Sequence, residues 1–593
     1  MAHRNGVAPD DTTEPSSAEV SVPAAPERFA VSSLWRGAPR LIGLAVLLNS
    51  AILVLSIFAW PPNRSPDELV HVDLIAAVAR GTAVPWPAPA ELHQTIGDKA
   101  SVVKAAGCRC DTLNAADAPK HWPSWNDVGG DTATVHNNWM VQHPPLYYVF
   151  MAAVLKTFPD WRNHPYNVVL GYLKLINLIF VIPLPLFAWA AARRMTGNRI
   201  VSATAGVSAV LIPHIQHLGS SINNDNMLLF EASLLTVLLA YVVRGDSSRR
   251  TAIFVALVTT AALLTKGTAL LFIPWVLIAY LILWRRSGSW SGTGMRRAVV
   301  PAAIALVGSG VLGGWWWARN KIAYGVVQVN GDLADQHRIA RRPSITTFGD
   351  SGQEFVVTFI RNMTNTFWLD TTERPVPLTI AWVSNGLSIV TGAVILIGIL
   401  RAFRKRLGGA SDVELHRSDV LLVLSLPALV SLILLKGAWA AWRTAMVPNG
   451  QQGRYLYPAV VGLLILFAVG LRVLAGRRAV LAATVAIGIT QLMMAVALIS
   501  SYWLPRRQPV SLSLLADAWH TMVVWSALNG IALAALIVIV VLLFAAMLWE
   551  AAHFTDEPAA AVADPVSARA REHRGLLGVR QGRRQAGQPP LVH

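Results

Sequence analysis

Charged residues are scarce in this chain of 593 residues. They make up 14% of it, against 54% for hydrophobic residues, and the mean hydropathy is +0.47. A soluble globular protein carries roughly a quarter charged residues, so the composition excludes that class. Apolar runs of the length that crosses a bilayer, about twenty residues, recur along the sequence. The sequence therefore predicts an all-α, polytopic integral membrane protein.

Acidic residues are the rarer charged type. The chain has 33 Asp and Glu against 50 Lys and Arg, which gives a formal net charge of +17. A nucleic-acid-binding protein gathers such an excess into a stripe or patch. Here the basic residues fall in short runs between apolar segments and in the tails, which is typical of topology signals. We therefore expect membrane lipids, and no nucleic acid, among the partners.

Cysteine is nearly absent, since only Cys108 and Cys110 occur. A disulfide across the single intervening residue, Arg109, would be strained but could form in an oxidising compartment. The interpretation favoured here is two free or locally paired thiols in a loop. Two cysteines without a nearby set of partners are weak evidence for a metal site.

Several catalytic signatures are also missing from the sequence. It has no Walker-type glycine loop, no His-x-x-x-His zinc pair and no Gly-x-Ser-x-Gly elbow. The predicted cytoplasmic loops are all too short for a nucleotide-using domain. A group donor would therefore be borne by a lipid or would already lie outside the cell.

The apolar runs predict about twelve spans. We place them at residues 41–60, 168–192, 200–218, 226–243, 251–266, 268–284, 298–317, 379–400, 419–440, 455–473, 478–500 and 524–549. The apolar segment 144–157 is too short to cross a bilayer and is predicted to be a juxtamembrane or re-entrant helix.

Basic residues set the predicted orientation of these spans. With segment 144–157 left outside the count, five basic clusters fall on one side, which the positive-inside rule makes the cytoplasm. Counting that segment as a span would place all five outside. The clusters are Arg193/Arg194/Arg199, Arg244/Arg249/Arg250, Arg285/Arg286/Arg296/Arg297, Arg401/Arg404/Lys405/Arg406 and Arg472/Arg477/Arg478.

The predicted organisation has one membrane domain between two tails. Residues 1–38 and the basic stretch 551–593 lack periodicity and are expected to be disordered tails in the cytoplasm. Residues 39–550 form the transmembrane domain. Its two large extracytoplasmic loops are 61–167 and 318–378, and all the polar motifs discussed below fall on that outer face of the plasma membrane.

The first motif follows the first span and holds two adjacent carboxylates. A structural interpretation explains much of it, with Ser65 as a helix N-cap, Pro66 in the first turn and Glu68 closing a capping box. Asp67 and His71 are less well explained by capping, because they lie four residues apart on one helix face. We expect Asp67 to be catalytic as a general base and Glu68 to be catalytic or a cap. His71 is expected to orient Asp67, to bind and orient a substrate, or to lie on the surface.

Two further outer motifs carry His, Asn and Asp. The segment His143–Tyr148 opens the short juxtamembrane helix and either initiates it through proline or lines the substrate site opposite Asp67. In the turn 221–226, Asn224 and Asp225 suit a structural helix start, or they bind sugar hydroxyls.

Cationic side chains on the outer face suit an anionic substrate. Lys266 lies in a short outer turn and either snorkels to lipid phosphate or clamps a phosphate. Arg319 follows three tryptophans of an expected aromatic belt. Arg454, between Gln452 and Tyr455, offers a bidentate fork for phosphate. All five residues are candidates for substrate binding.

Three more charged residues lie within or near the ends of spans. Glu231 lies about one and a half turns inside its span and needs a partner there. Lys266 or Lys174 is the expected partner. Lys174 and Lys436, near the outer ends of their spans, raise the same question of phosphate binding as Lys266.

These motifs resemble those of the GT-C superfamily of membrane glycosyltransferases, which use polyprenyl-phosphate sugars. The resemblance is closest to a bacterial domain-of-unknown-function branch, with protein O-mannosyltransferases and aminoarabinose transferases as more distant relatives. It rests on five segments spread over residues 41–475. They are Pro66-Asp67-Glu68 with His71, His143–Tyr148, Asn223-Asn224-Asp225, Arg319-Asn320 with Tyr324-Gly325, and Gln452-Gly453-Arg454-Tyr455.

The resemblance implies inverting transfer of a sugar from a polyprenyl-phosphate donor to a cell-envelope glycan, lipid or protein, as in cell wall biosynthesis. Asp67 matches the catalytic carboxylate of the first loop. Lys174 departs from the pattern, because relatives often have arginine there. Some members use a divalent metal ion and others do not, so the cofactor stays open.

Two other functions remain to be weighed. A transporter or flippase of a lipid-linked precursor would line its path with the same charges, but such proteins tend to show internal repeats and charges at the midplane. A non-catalytic partner in an envelope complex would tolerate the loss of Asp67.

Overall fold

The computed structural model of the protein describes ten segments of the chain. They are residues 28–88, 91–95, 113–128, 137–287, 292–329, 352–369, 378–404, 413–443, 452–505 and 511–555. Both cysteines and most of the two predicted tails lie outside the described residues.

These segments are helical, and they contain no strand beyond two isolated bridges, His93 with Asn137 and Ser124 with Pro165. The α-helices are α1 (Arg40–Ala59), α2 (Glu68–Arg80), α3 (Trp125–Val128), α4 (Leu146–Lys156), α5 (Tyr166–Asn177), α6 (Leu184–Thr196), α7 (Arg199–Ser208), α8 (Pro213–Gly219), α9 (Asn224–Val243), α10 (Arg249–Leu263), α11 (Phe272–Arg286), α12 (Gly292–Gly313), α13 (Trp315–Tyr324), α14 (Gly352–Trp368), α15 (Leu378–Phe403), α16 (Arg417–Arg443), α17 (Val460–Ala475), α18 (Ala479–Leu498), α19 (Leu512–Trp525) and α20 (Gly530–Ala552).

Short helices connect several of these. The 3₁₀ helices are Val31–Leu34, Ala115–Asp117, Trp139–Gln142, Leu178–Phe180, Gly267–Leu271, Gly453–Ala459 and Gly476–Arg478, and Ile499–Trp503 is a π-helix.

Nine helical runs in the described part are long and apolar enough to cross a membrane. The expected all-α membrane protein is thereby confirmed, whereas the count of twelve spans stays a prediction. The difference arises at three places. Segment 200–218 is split into α7 and α8, α10 has only 15 residues, and the run 453–503, counted once, holds both α17 and α18, which are separated at Gly476 with its φ of +57°.

The short apolar segment of the first loop is a helix of 11 residues, α4. At 1.5 Å per residue it measures roughly 16 Å, about half the bilayer core. Its first amide donates to the carbonyl of Leu264 at 2.9 Å, which docks the helix against the turn that holds Lys266. The segment is therefore a helix too short to span the bilayer, and its juxtamembrane or re-entrant position stays a prediction.

Basic side chains gather at one end of the helices. At the C-terminal end of α9, Arg244 lies 2.9 Å from Asp419, and Arg286 at the end of α11 lies 2.8 Å from the same carboxylate. The residues of the outer motifs begin α9 and precede α11. Because α9 has 20 residues, roughly 30 Å of helix separates the motif end from the basic end.

Candidate active site

Asp67 has an unusual backbone. It occupies the N-cap position of α2 with φ +58°, in the left-handed region that few non-glycine residues adopt, and its side chain makes no cap hydrogen bond. Its carboxylate is 37% exposed although Ser65, Pro66 and Glu68 around it are buried. The expected capping box with Ser65 as N-cap is therefore wrong, because the helix begins two residues later in the motif and leaves the Asp67 carboxylate for other contacts.

Arg454 holds that carboxylate. Its guanidinium is 3% exposed and donates to Asp67 Oδ2 at 2.8 Å. The 3₁₀ helix that carries Arg454 approaches α14 closely, since a Cβ on Gly453 would lie 2.3 Å from the carbonyl oxygen of Met363. Glycine is therefore required here by packing. Two motifs 387 residues apart in sequence meet in one charged pair.

A second pair lies beside the first. Lys266 Nζ lies 2.5 Å from Asp225 Oδ1, and both side chains are 11% exposed. The ring of Tyr455 contacts both cations, with Lys266 Nζ 5.4 Å and the Arg454 guanidinium 5.7 Å from its centroid. The structure thus brings together Asp67, Arg454, Tyr455, Lys266 and Asp225.

Glu68 points away from this group. Its carboxylate lies 2.9 Å from Lys174 Nζ, accepts from the amide of Ile222 at 3.0 Å, and is fully buried. Glu68 joins α2 to α5 and to the segment before α9. Lys174 is paired with Glu68, and neither of these two side chains faces the exposed carboxylate of Asp67.

His71 and His143 lie side by side, with ring centroids 6.5 Å apart and nearly parallel planes. His71 Nδ1 lies 2.9 Å from the hydroxyl of Tyr148. Burial, aided by the positive charge of Lys266, lowers the pKa of His71 from 6.5 to about 3. Burial and the same lysine also hold the pKa of His143 well below 6.5, so both imidazoles are neutral at pH 7.

Asn224 and Gln452 flank the Lys266 turn. Asn224 is fully buried in the first turn of α9 and donates to the carbonyl of Thr265 at 3.3 Å. Gln452 is the N-cap of the 3₁₀ helix that carries Arg454, and its carbonyl accepts from the Tyr455 amide at 3.2 Å. Both predicted residues therefore border the two ion pairs.

Arg319 lies in a neighbouring aromatic cluster. Its guanidinium is 5.0 Å from the Trp316 ring and 5.6 Å from the Tyr324 ring, and it donates to the carbonyl of Trp86 at 3.4 Å. Trp316 is buried, whereas Trp315 of the same run is 50% exposed, and the aromatic belt stays a prediction. The cluster reaches the histidines through Trp86 and Tyr148, whose rings are 5.9 Å apart, and Arg319 has no direct contact with either ion pair.

Glu231 does not pair with a lysine. The hydroxyl of Thr265 donates to Glu231 Oε1 at 2.9 Å, while Lys266 and Lys174 pair with other carboxylates. The expected lysine partner is therefore wrong, and Glu231 instead anchors the turn that presents Lys266. Lys436 is exposed.

The described residues do not form an evident ligand set for a divalent metal ion. They contain no group of three or more His, Cys, Asp or Glu side chains suited to one. Asp67, Asp225 and Glu68 each face a cationic side chain, which opposes a second cation at the same oxygens.

Comparison with known proteins places this arrangement in a family. The model described as "Predicted membrane protein (DUF2142)" matches residues 51–463, more than half of the chain and all of the charged site. The chain belongs to the DUF2142 family. The expected domain-of-unknown-function branch is thereby confirmed. No curated protein matches the DUF2142 chain.

Solved structures resemble the DUF2142 protein only distantly. ArnT from Cupriavidus metallidurans bound to undecaprenyl phosphate is 13% identical with a TM-score of 0.44, over 87% of this chain and 74% of that chain. The apo oligosaccharyltransferase of Archaeoglobus fulgidus is 12% identical with a TM-score of 0.38, over 86% and 56%. These are the kinds of structure that the resemblance to the GT-C superfamily led us to expect. At TM-scores below 0.5 they transfer no residue role to the DUF2142 protein.

The sequence interpretation missed the part that α14 plays in the DUF2142 site. Thr366 Oγ1 accepts from the Gly453 amide at 2.6 Å, and the Thr366 carbonyl lies 2.7 Å from Nδ1 of His214. The signal was present in the sequence, since Phe355, Phe359 and Met363 recur at helical spacing inside the second loop.

Proposed function

We propose that the protein is an inverting glycosyltransferase. It moves a sugar from a polyprenyl-phosphate donor to a hydroxyl of a cell-envelope glycan, lipid or protein. Asp67 acts as the general base, and Arg454 and Lys266 bind the donor phosphate. The motif resemblance to GT-C enzymes supports the class, and the charge arrangement supports the roles.

One observation carries the proposal. Asp67 is the exposed carboxylate of the charged group, and it is held by a buried arginine next to a second, nearly buried cation on the same tyrosine ring. A base must reach the proton that it removes. Cations must lie where negative charge develops, and they act more strongly where water is excluded. The group around Tyr455 meets both requirements.

The reaction follows from these positions. The Asp67 carboxylate takes the proton of the acceptor hydroxyl as its oxygen attacks the anomeric carbon of the sugar. The bond from that carbon to the phosphate oxygen breaks on the opposite face, which inverts the configuration. Negative charge grows on the departing polyprenyl phosphate, and Arg454 and Lys266 stabilise it. Neutral His71 and His143 form one wall of the site without adding charge.

The location of the site suits a lipid-borne donor. The group lies at the end of α9 opposite to Arg244 and the other basic residues. Under the positive-inside rule the basic end is cytoplasmic, so the proposed site is extracytoplasmic and both termini are cytoplasmic.

The test compares purified wild type with Asp67→Asn, each given a panel of polyprenyl-phosphate sugars and an envelope-glycan acceptor. Released polyprenyl phosphate is measured. We expect the wild type to turn over at least one donor and Asp67→Asn to lose about 10²- to 10⁴-fold in rate, the usual contribution of a general base.

Asp160→Asn is the matched control. Asp160 also has a left-handed backbone, at φ +49°, and its exposed carboxylate accepts a hydrogen bond from Asn163 at 2.8 Å outside the charged group. Asn tolerates this backbone well, so both variants should fold. Equal turnover by wild type and Asp67→Asn would contradict the role of Asp67. If no donor is turned over, a lipid-flipping assay on the same preparation tests the transporter alternative.

A further inference from the structure

Besides Glu231 Oε2, three oxygen acceptors on the segments around the Lys266 turn have no hydrogen-bond donor in the described part of the chain. They are Asn224 Oδ1, Asp225 Oδ2 and Gln452 Oε1, and each atom is buried. Buried polar atoms are almost always paired, and an unpaired one costs free energy. Asn224 as a residue is fully buried, so bulk water does not satisfy it. Unpaired buried acceptors that recur in one place need a common explanation.

The three acceptors lie on segments that meet at one turn. Asn224 donates to the Thr265 carbonyl, and Asp225 binds the neighbouring Lys266. Gln452 occupies the N-cap position, without a side-chain cap hydrogen bond, of the 3₁₀ helix whose Tyr455 ring lies under Lys266, and this helix packs against α9. A fourth unpaired atom, Nδ1 of His143, lies on the segment just before α4, whose first amide binds Leu264.

The chemistry of this lining selects among ligands. Amide and carboxylate oxygens accept hydrogen bonds, so they favour a ligand rich in donors. A free cation is disfavoured by the ammonium of Lys266, which is paired with Asp225, and an anionic group by the acceptors themselves. A sugar without charged substituents supplies several hydroxyl donors and neither charge.

We infer that Asn224, Asp225 and Gln452 form the subsite for the sugar of the donor and that this sugar is uncharged and bears free hydroxyls. The inference rests on the proposed lipid-phosphate substrate, whose phosphate lies on the adjacent cations. Each acceptor takes a hydrogen bond from one sugar hydroxyl. The subsite therefore separates glycosylated from bare polyprenyl phosphate.

The test measures binding, so it does not depend on turnover. Full-length protein in nanodiscs is titrated with undecaprenyl phosphate and with its glucosyl, mannosyl, galactosyl and ribosyl derivatives. The readout is the ratio of the dissociation constants of bare and glycosylated lipid. We expect at least one neutral sugar to bind about 10-fold or more tighter than the bare lipid. Gln452→Met and Asn224→Leu should each lower that ratio about 10-fold, the effect of losing one good hydrogen bond, with bare-lipid affinity unchanged.

Gln491→Met is the matched control. Gln491 is a partly buried amide outside the site that already donates to the Val210 carbonyl at 2.8 Å, so its loss should leave the ratio unchanged. Gln452→Met alone keeps the test decisive if Asn224→Leu fails to fold. A ratio of one for all four sugars in the wild type, or an unaltered ratio in Gln452→Met, would overturn the subsite.

Two further probes address the charge of the ligand. The galacturonyl derivative should bind at least about 10-fold more weakly than the galactosyl one, and equal or tighter binding would overturn the uncharged sugar. Competition by millimolar Ca²⁺ or Mg²⁺ would identify the acceptors as a cation site and would also overturn it. A sugar preference without turnover would contradict the proposed transfer and leave the subsite intact. Turnover without a sugar preference would contradict the subsite and leave the proposed transfer intact.

Discussion

Asp67 and Glu68 are adjacent carboxylates with opposite environments. The left-handed backbone at Asp67 sends its side chain toward Arg454, while Glu68 enters the first turn of α2 and is buried against Lys174. The exposed carboxylate of Asp67 is accessible for catalysis, whereas the buried ion pair of Glu68 stabilises the structure. Glu68, expected to be catalytic or a cap, thus lies where removing it should affect stability first.

Glu68→Gln should destabilise the protein by about 3–5 kcal/mol, because it leaves the buried Lys174 ammonium without its counter-charge. The double variant Glu68→Gln/Lys174→Met should recover a large part of the loss, since no buried charge remains. Thermal melting in detergent measures both. Glu91→Gln, at an exposed glutamate, is the control. Lost turnover at unaltered stability in Glu68→Gln would instead place Glu68 in the chemistry.

His71 gives the stability a predictable pH dependence. Its folded pKa of about 3 lies below the unfolded value of 6.5, so the neutral imidazole stabilises the fold fully above pH 6.5 and progressively less as the pH falls toward 3. At pH 5 the loss from this one group is about 2 kcal/mol.

The measurement is the melting temperature at pH 7 and pH 5. His71→Asn keeps a polar atom near Tyr148 without titrating, so it should show a smaller drop than the wild type. His93→Asn, at an exposed histidine, should match the wild type. An equal drop in all three proteins would show that His71 does not carry the effect.

Among the elements, α14 decides where Arg454 lies. This helix from the second large loop accepts the Gly453 amide at Thr366, and the Tyr457 hydroxyl donates to the Phe367 carbonyl at 2.7 Å. The close approach works because residue 453 has no side chain. A loop element therefore positions a charged residue of a distant motif.

Gly453→Ala should separate α14 from the helix of Arg454, because the new Cβ would lie 2.6 Å from the amide of Phe367 as well as against Met363. Overpacking of this kind costs about 1–3 kcal/mol. We expect a lower melting temperature and weaker binding of undecaprenyl phosphate. Gly386→Ala, where a Cβ would have nothing within 4 Å, is the control. Unaltered lipid binding in Gly453→Ala would show that α14 does not set the position of Arg454.

The two ends of the helices carry different groups of charged residues. Asp419 with Arg244 and Arg286 marks one end, and the carboxylate–cation pairs of the candidate site mark the other. Under the proposed orientation, this separation is compatible with the positive-inside rule although the candidate site also holds cations. The cations of the candidate site are paired with carboxylates, so they add little net charge there.

Single cysteines should reveal this orientation in intact cells once Cys108 and Cys110 are replaced by serine. His164→Cys lies in the exposed connection between α4 and α5, on the side of the candidate site, and Ser287→Cys follows α11 at the basic end. A membrane-impermeant maleimide should label the first and spare the second until the cells are opened. The reverse pattern would contradict the proposed extracytoplasmic site.

The sequence by itself determined the membrane class, the all-α character and the set of polar motifs. Hydropathy over about twenty residues and the placement of arginines are local properties, and they survive whatever the helices pack against. The length of the apolar segment 144–157 was enough to predict that α4 is too short to cross a bilayer. The family could also be recognised from the sequence, because five motifs occur in order.

Only the tertiary structure decided which charges meet. Asp67 and Arg454 are 387 residues apart, and sequence pattern cannot choose between Arg454, Lys266 and Lys174 as its partner. The wrong expectations share this cause. Lys266 was a plausible partner for Glu231, but in the fold it pairs with Asp225. The capping box at Ser65 does not form because long-range contacts hold Asp67 in the left-handed region. A buried charge pairs with the opposite charge that lies nearest to it in the fold. The packing of all the helices together decides which residue that is.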